Sequence, residues 1–447
     1  MSQKSRPSSE DKGEVVKAGI IKLTDMGMIK DVFRMLATQV KGESYKMQRL
    51  FEFTDFLKKE GIAPTFYKIE SASTEPEVII NGKKVLMFSS NNYLGLAKHP
   101  KVIEKAGEAL QKHGLGPGGS RFLCGNIDIL DELDKATAEL VGTEDAVTLP
   151  TGYMANVAVF KAVMDPIIGI FPYRKGEGVI LSDEFNHGSI VDGCRLSYAE
   201  KVIFRHNDLS DLEKKLKRIS KGRHKMVVTE GVFSPWGEFA PLPEIVELAK
   251  KYNVVLMVDD AHGVGAVGET GGGAVEHFKL RGEVDIVMGS FDKALGGMGG
   301  FLASSKKLAE HLRVAARPNI LSSALSGVLA GGLIESIKIC RSEEGAKLRS
   351  QLSANADYLR KSFNNLGFKI VGNGEVPVTP VFIGEEAKSI KLAEKLLEYG
   401  IYSPSFRWPA VPKGESRIRV TPMATHKKEH LDALLQAFSR VKEEFKL

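Results

Sequence analysis

From Val85 onward, short apolar runs alternate with stretches in which apolar residues recur every three or four positions. The runs AVTLP from Ala146, GVILS from Gly178, KVIF from Lys201, KMVVTEG from Lys225, VVLMVDD from Val254 and DIVMG from Asp285 are rich in β-branched residues and bounded by glycine and aspartate. Runs that are apolar at every position, not at alternate ones, predict strands buried on both faces of a mostly parallel sheet, with the intervening helices as cover. The predicted fold class is therefore α/β, with a large domain over 88–329. Helical periodicity from Ala330 to Leu366, strand-like FKIVG, TPVFIG and SRIRVTP, and a last helix from Lys427 to Phe445 predict a smaller α+β C-terminal domain over 330–447. Upstream, Ile29, Val32, Phe33 and Leu36, then Leu50, Phe53 and Phe56, are helix-spaced between Met26 and Gly61. They predict an N-terminal helical arm in a segment, 21–87, that also contributes to the smaller domain. Residues 1–20 are polar and predict a disordered tail.

Composition changes this picture little. The 447 residues are 43% hydrophobic and 26% charged, an ordinary globular balance. Sixty-two basic against 56 acidic side chains leave +6, spread along helical stretches; this suits an anionic ligand and does not indicate nucleic acid. The 3 cysteines, Cys124, Cys194 and Cys340, lie far apart with neither metal-ligand nor redox spacing, so no metal is expected and a reducing compartment is. The longest apolar stretch, Val157 to Phe171, is interrupted by Lys161 and Asp165, too short to span a bilayer. No signal-peptide pattern opens the chain. A cytoplasmic location is the expectation.

Ligands of open α/β sheets collect at the carboxyl ends of the strands, and polar residues that interrupt apolar runs there are the candidates for chemistry. VVLMVDDAHG delivers Asp259 and His262; DIVMGSFDKALGG delivers Ser290 and Lys293; KMVVTEGVFS delivers Glu230 and Ser234; GVILSDEFNHGS delivers Asp183 and His187. One lysine after a strand is common. A lysine and a carboxylate at different strand ends of one sheet suit pyridoxal phosphate, which needs an amine for its imine, an acid for its ring nitrogen, a phosphate cradle and an aromatic face. Thr151-Gly152-Tyr153-Met154 supplies the cradle if the helix-compatible ANVAVF that follows begins a helix, whose free N-terminal amides bind phosphate. Tyr153 also reads as a core residue, Asp259 as a turn cap with Asp260 the functional acid, and Asp183 and Glu230 as structural hydrogen-bonding groups. The D-x-x-H spacing to His262 favours Asp259.

These segments resemble the α-oxoamine synthase family of fold-type I pyridoxal-phosphate transferases. The resemblance runs from Phe88 to the C-terminal helix and rests on NNYLGLAKHP, GPGGSRFLCG, TGYMAN, NHGSIVDGCR, EGVFS, VDDAHGVGAVGETGGG, SFDK, PAVPKGESRIR and MATH, in that order. It implies that Lys293 forms the Schiff base and moves the Cα proton, that Asp259 pairs with the ring nitrogen, and that His262 and Ser234 reach the phenolic oxygen. It further implies that His187 stacks on the ring, that Ser290 touches the phosphate, and that Ser322 and Ser323 reach the phosphate of the other subunit in a homodimer. Arg419, with Asn91 and Ser120, would take the amino-acid substrate. The implied reaction is a decarboxylating condensation of an amino acid with an acyl-CoA or other acyl thioester to an α-amino ketone. Within the family the motifs lean towards bacterial serine palmitoyltransferases and hence sphingolipid synthesis. The alternatives are 2-amino-3-oxobutyrate coenzyme A ligase and 8-amino-7-oxononanoate synthase; outside this chemistry stand a fold-type I aminotransferase or aldolase and a non-catalytic subunit, which usually loses the lysine. Asp292 directly before Lys293 and Pro235-Trp236 after EGVFS depart from the family pattern.

Overall fold

The structure, a computed structural model, describes residues 48–165, 177–372 and 376–446. The predicted tail and the first half of the predicted arm fall outside them. The described residues form two units divided between Thr65 and Phe66. In the first, the expected arm helix spans Gln48–Lys59.

The second unit is built on a seven-stranded sheet. Before it in sequence come β1 (Glu77–Ile80) and β2 (Lys83–Met87), an antiparallel hairpin. The large sheet comprises β3 (Asp145–Leu149), β4 (Val179–Asp183), β5 (Glu200–Phe204), β6 (Lys225–Glu230), then, after the small hairpin β7 (Val232–Phe233) and β8 (Glu238–Phe239), β9 (Val255–Asp259), β10 (Ile286–Ser290) and β11 (Gly300–Ser304). Their order is β3-β11-β10-β9-β6-β4-β5. All run the same way except β11, which is antiparallel to both its neighbours. The six apolar runs read from the sequence are all strands of this sheet; β11, GFLAS, is a seventh strand that none of those runs includes.

The reason for the continuous apolar runs is visible in how they pack. Val227, Leu256, Val258 and Val287 enter one core layer, with Leu133, Leu242 and Leu333 from covering helices. Their neighbours Met226, Val228, Met257, Ile286 and Met288 enter a second layer on the opposite face with Ala158, Phe160 and Leu312. Both faces of the central strands being dry, charged residues are excluded from their interiors and appear where those strands begin or end.

In the C-terminal part, the helical region predicted over 330–366 is two helices, Gly327–Cys340 and Glu343–Asn365, the second capped by Ser342 through the Gly345 amide. A third core packs Leu359, Phe363, Val381, Leu392, Ile418, Leu434 and Phe438. Here β12 (Thr379–Gly384) and β15 (Ser416–Val420) pair antiparallel, with β14 (Ser405–Phe406) on the other edge of β15, while β13 (Ile401–Tyr402) pairs with β2. FKIVG makes only one bridge, Ile370 to Val381. Its partner strand carries Pro380, which has no N–H to continue the ladder.

Candidate active site

Adjacent strand ends converge at the carboxyl edge of the sheet. In register, Glu230 of β6 lies opposite Asp259 of β9, and Asp259 opposite Met288 of β10. Ser290 ends β10, and Lys293 follows in the turn, its side chain 13% exposed. The sheet thus brings Lys293, Asp259, Ser290 and Glu230 together, as their positions at strand ends required.

Asp259 is buried, and both its oxygens are held: Oδ2 accepts from Asn156 Nδ2 at 2.7 Å and Oδ1 from the Ala261 amide at 3.1 Å. Asn156 also donates to Ser189 Oγ at 2.9 Å, tying two helices to the acid. Asp260 faces the other way. Its Oδ2 accepts the Ala274 amide at 2.6 Å, and a Cβ on Gly231, Gly263 or Gly273 would collide with its carboxyl. It pins the loop that follows β9, and burial pushes its acid well above the usual carboxyl range, helped by the Asp259 charge. Asp259 is therefore the acid that faces the site.

Glu230, read from sequence as structural, is fully enclosed, and its Oε1 accepts the His187 amide at 2.7 Å. Burial, then the Asp259 charge, drives its acid well above the ordinary range. It fixes the backbone from which the exposed His187 ring projects, with His187 Nδ1 2.7 Å from Ser189 Oγ.

A second chain of contacts crosses from β15. Arg419 Nε donates to Ser234 Oγ at 2.8 Å, Nη1 to Thr421 Oγ1 at 3.1 Å, and Nη2 to Asn91 Oδ1 at 2.9 Å and Tyr93 Oη at 3.3 Å. With the Tyr93 oxygen accepting from arginine, its own proton goes to His262 Nδ1, 2.7 Å away. Burial holds the Tyr93 phenol up at about 12, so it stays a donor. Burial, reinforced by Lys293, Arg419 and His187, keeps His262 well below the usual imidazole value. A neutral His262 accepting at Nδ1 carries its proton on Nε2, as a donor to the site. Tyr93 and Asn156 were not singled out from sequence. Asn156 had a signal, the one amide in the apolar helix segment MANVAVF; Tyr93 lies inside NNYLGL with nothing to mark it.

The helix expected after β3 is present at Gly152–Met164, capped by Thr151, whose Oγ1 accepts the Met154 amide at 3.1 Å. Met154 therefore spends its N–H on the cap, and the Gly152 and Tyr153 amides are the ones left to the cradle. Tyr153 is not core: it is 51% exposed and its hydroxyl donates to Asp192. A Cβ on Gly152 would lie 2.8 Å from Ser290 Oγ, and one on Gly300 would lie 2.5 Å from Gly152 Cα. Strand and helix meet here with no room for side chains, so the Ser290 hydroxyl stands against the start of the helix. Ser120 is buried in its loop, its Oγ unpartnered among the described residues, and no hydrogen bond joins it to Arg419. Ser322 and Ser323 make none to Ser290 or Lys293; their segment is joined to the glycine-rich loop by the Ala324 amide donating to Gly119 O at 3.0 Å.

These residues fit pyridoxal phosphate: a cradle only glycine permits, a carboxylate with both oxygens fixed, a neutral imidazole donor and a lysine at the end of the neighbouring strand. Among the described residues no group of three or more His, Cys, Asp or Glu side chains could hold a metal ion.

The class I and II aminotransferase family model matches residues 83–438. An 8-amino-7-oxononanoate synthase of Thermoanaerobacter pseudethanolicus is 44% identical over 386 residues, 86% of this chain and 94% of that protein. One from Lysinibacillus sphaericus is 42% identical over 377 residues, 84% of this chain and 94% of that protein. Among solved structures, serine palmitoyltransferase from S. paucimobilis with a bound PLP–myriocin aldimine superposes with a TM-score of 0.83 at 32% identity, covering 89% of this chain and 99% of that one.

Proposed function

Because the chain belongs to the α-oxoamine synthases, pyridoxal-phosphate acyltransferases within the class I and II aminotransferase family, we propose that it makes 8-amino-7-oxononanoate from alanine and an acyl thioester. The observation that carries this is sequence likeness to curated relatives, although a solved 8-amino-7-oxononanoate synthase of Francisella tularensis is only 23% identical. Those relatives, 8-amino-7-oxononanoate synthases, are 39–44% identical over 84–90% of the chain, whereas the serine palmitoyltransferases are 30–32% identical. The sequence motifs' lean towards serine and a palmitoyl donor, and with it sphingolipid synthesis, gives way to this reading.

The product's structure names the substrates. Cutting 8-amino-7-oxononanoate between C7 and C8 leaves a two-carbon fragment bearing an amine and a methyl group, which with carbon dioxide restored is alanine. The other fragment is a seven-carbon acyl group ending in a carboxylate, a pimeloyl thioester. The bond formed is Cα to the thioester carbonyl; the thiol and carbon dioxide leave.

Pyridoxal phosphate, when bound, supplies the electron sink that makes the Cα proton removable. The chain's residues supply position and protons. The Lys293 amine takes the Cα proton and returns one at the end. Asp259, immobilised by Asn156 and Ala261, would hold the ring nitrogen, and His262 Nε2–H and Ser234 Oγ would reach the phenolic oxygen. Arg419, already oriented by Ser234, Thr421, Asn91 and Tyr93, presents its guanidinium to the amino-acid carboxylate. The glycine-rich loop exposes Leu115, Phe122 and Leu123, and the segment before Ser322 exposes Leu321, at 70–81%; a second copy of the chain covering them would form a homodimer with the active site at its interface. A cytoplasmic setting fits the three cysteines, all free thiols.

Purified protein is incubated with alanine, glycine or serine, each against pimeloyl-, acetyl- or palmitoyl-CoA, with free thiol and product mass as readouts. Alanine with pimeloyl-CoA should release thiol fastest and give 8-amino-7-oxononanoate. Faster turnover with serine and palmitoyl-CoA would overturn the assignment.

A further inference from the structure

We propose that Asp292 competes with the cofactor's phosphate for the Ser290 hydroxyl and thereby sets how tightly the chain holds pyridoxal phosphate. Ser290 Oγ donates to Asp292 Oδ1, with the Gly299 carbonyl a longer alternative acceptor at 3.2 Å. A hydroxyl has one proton to give. While the carboxylate takes it, a phosphate on the Gly152 and Tyr153 amides receives nothing from Ser290, although Gly152 packs so closely that a Cβ there would stand 2.8 Å from that oxygen. Phosphate and carboxylate would also be two anions at one hydroxyl, and like charges this close repel.

The carboxylate has somewhere else to go. Its side chain is 51% exposed, and Oδ1 lies 3.8 Å from Lys293 Nζ. A swing about its side-chain bonds releases Ser290 to the phosphate and carries the charge towards solvent. Binding must therefore displace Asp292 from Ser290, and the free energy of that displacement is subtracted from the cofactor's affinity. The inference rests on the family's cofactor and not on which amino acid or acyl group the enzyme uses, so it stands or falls separately from the substrate assignment.

The test compares full-length wild type with Asp292→Ser and Asp292→Asn, each freed of cofactor and titrated with pyridoxal phosphate and, separately, with unphosphorylated pyridoxal, following the imine absorbance. The expected result is that Asp292→Ser binds pyridoxal phosphate about tenfold more tightly, and Asp292→Asn, which keeps an acceptor but loses the charge, by a smaller factor. Pyridoxal affinity should be unchanged, and the gain should shrink in high salt. Unchanged or weaker pyridoxal-phosphate binding in both variants would overturn the proposal. So would an equal gain for pyridoxal, which would place the effect on Lys293 and not on the phosphate. Matching circular dichroism of the three proteins guards against misfolding, and two chemically different replacements of a half-exposed residue keep the comparison informative.

Discussion

His206 is held between two carboxylates, and its removal should cost most stability where its ring is charged. Its Nδ1 lies 2.9 Å from Asp183 Oδ1 and its Nε2 2.8 Å from Glu238 Oε1, so both ring nitrogens act as donors. Burial works against the charge, but the bonds to the two carboxylates outweigh it and raise His206 from 6.5 to about 9. At 1.36 kcal/mol per pH unit that interval corresponds to roughly 3 kcal/mol. Glu238 is 26% exposed, and solvent screening on that side reduces the figure to about 2 kcal/mol. The sign follows from a folded value above the unfolded one: the stabilisation is complete below about 6.5 and is lost as pH rises through about 9. The ring also packs on Phe185 and Phe233 at 4.5 Å. Phe185 stacks on Trp236 at 4.1 Å, and the Arg417 guanidinium lies 4.0 Å from the other ring of that stack, Trp236. Replacing the ring therefore adds a loss that does not depend on pH. Urea unfolding midpoints of wild type and His206→Gln, at one protein concentration, should differ most at pH 6, less at pH 7.5, and least at pH 10. A gap that stays constant or widens between pH 6 and pH 10 would refute an imidazolium held by Asp183 and Glu238.

Two further outcomes follow from the site. Arg419→Lys keeps a cation but loses the planar fork held by Ser234, Asn91 and Tyr93; with a charge-assisted bond worth about 1.5–3 kcal/mol, the KM for the amino acid should rise by roughly 10- to 100-fold in steady-state assays, with kcat changing less. Gly300→Ala places a Cβ 2.5 Å from Gly152 Cα and 2.6 Å from its nitrogen, backbone atoms that cannot rotate aside. It should weaken pyridoxal-phosphate binding at least tenfold and destabilise the fold by about 1–3 kcal/mol, measured by absorbance titration and urea unfolding.

What the sequence made legible was the sheet and the polar residues standing at its edge. Both follow from one physical fact: strands covered on two faces exclude charged residues from their interiors, so VVLMVDD announces both a strand and where it stops. Asp259 and Lys293 could be found this way because each ends a run or follows one closely. Tyr93 and Asn156 could not, since their importance lies in what they reach across 169 and 103 residues of chain. β11 was hidden because its five residues, GFLAS, follow GGMG, and glycine obscures where a strand begins. Between the adjacent carboxyls the D-x-x-H spacing favours Asp259, but its reason lies in the fold: the Ala274 amide and three crowding glycines hold Asp260 away.

The same strand ends raise a question of charge that the fold answers locally. Glu230 and Asp259 end two neighbouring strands and Asp260 follows directly, all three buried, and three ionised carboxyls so close would repel strongly in a medium of low polarity. Burial drives Glu230 and Asp260 towards their neutral forms. In those forms Glu230 still positions the His187 amide and Asp260 still anchors the loop at Ala274. Asp259 differs in that a side-chain amide and a backbone amide donate to its two oxygens, from Asn156 and Ala261. Donors on both oxygens fix the carboxyl in place, and a fixed acid is what the cofactor's ring nitrogen would need opposite it. Its two buried neighbours fix the backbone around it, Glu230 at His187 and Asp260 at Ala274. Asn156 holds Asp259 from the same end of the helix that offers the Gly152 and Tyr153 amides, so under the proposed cofactor binding one rigid element would address both ring nitrogen and phosphate.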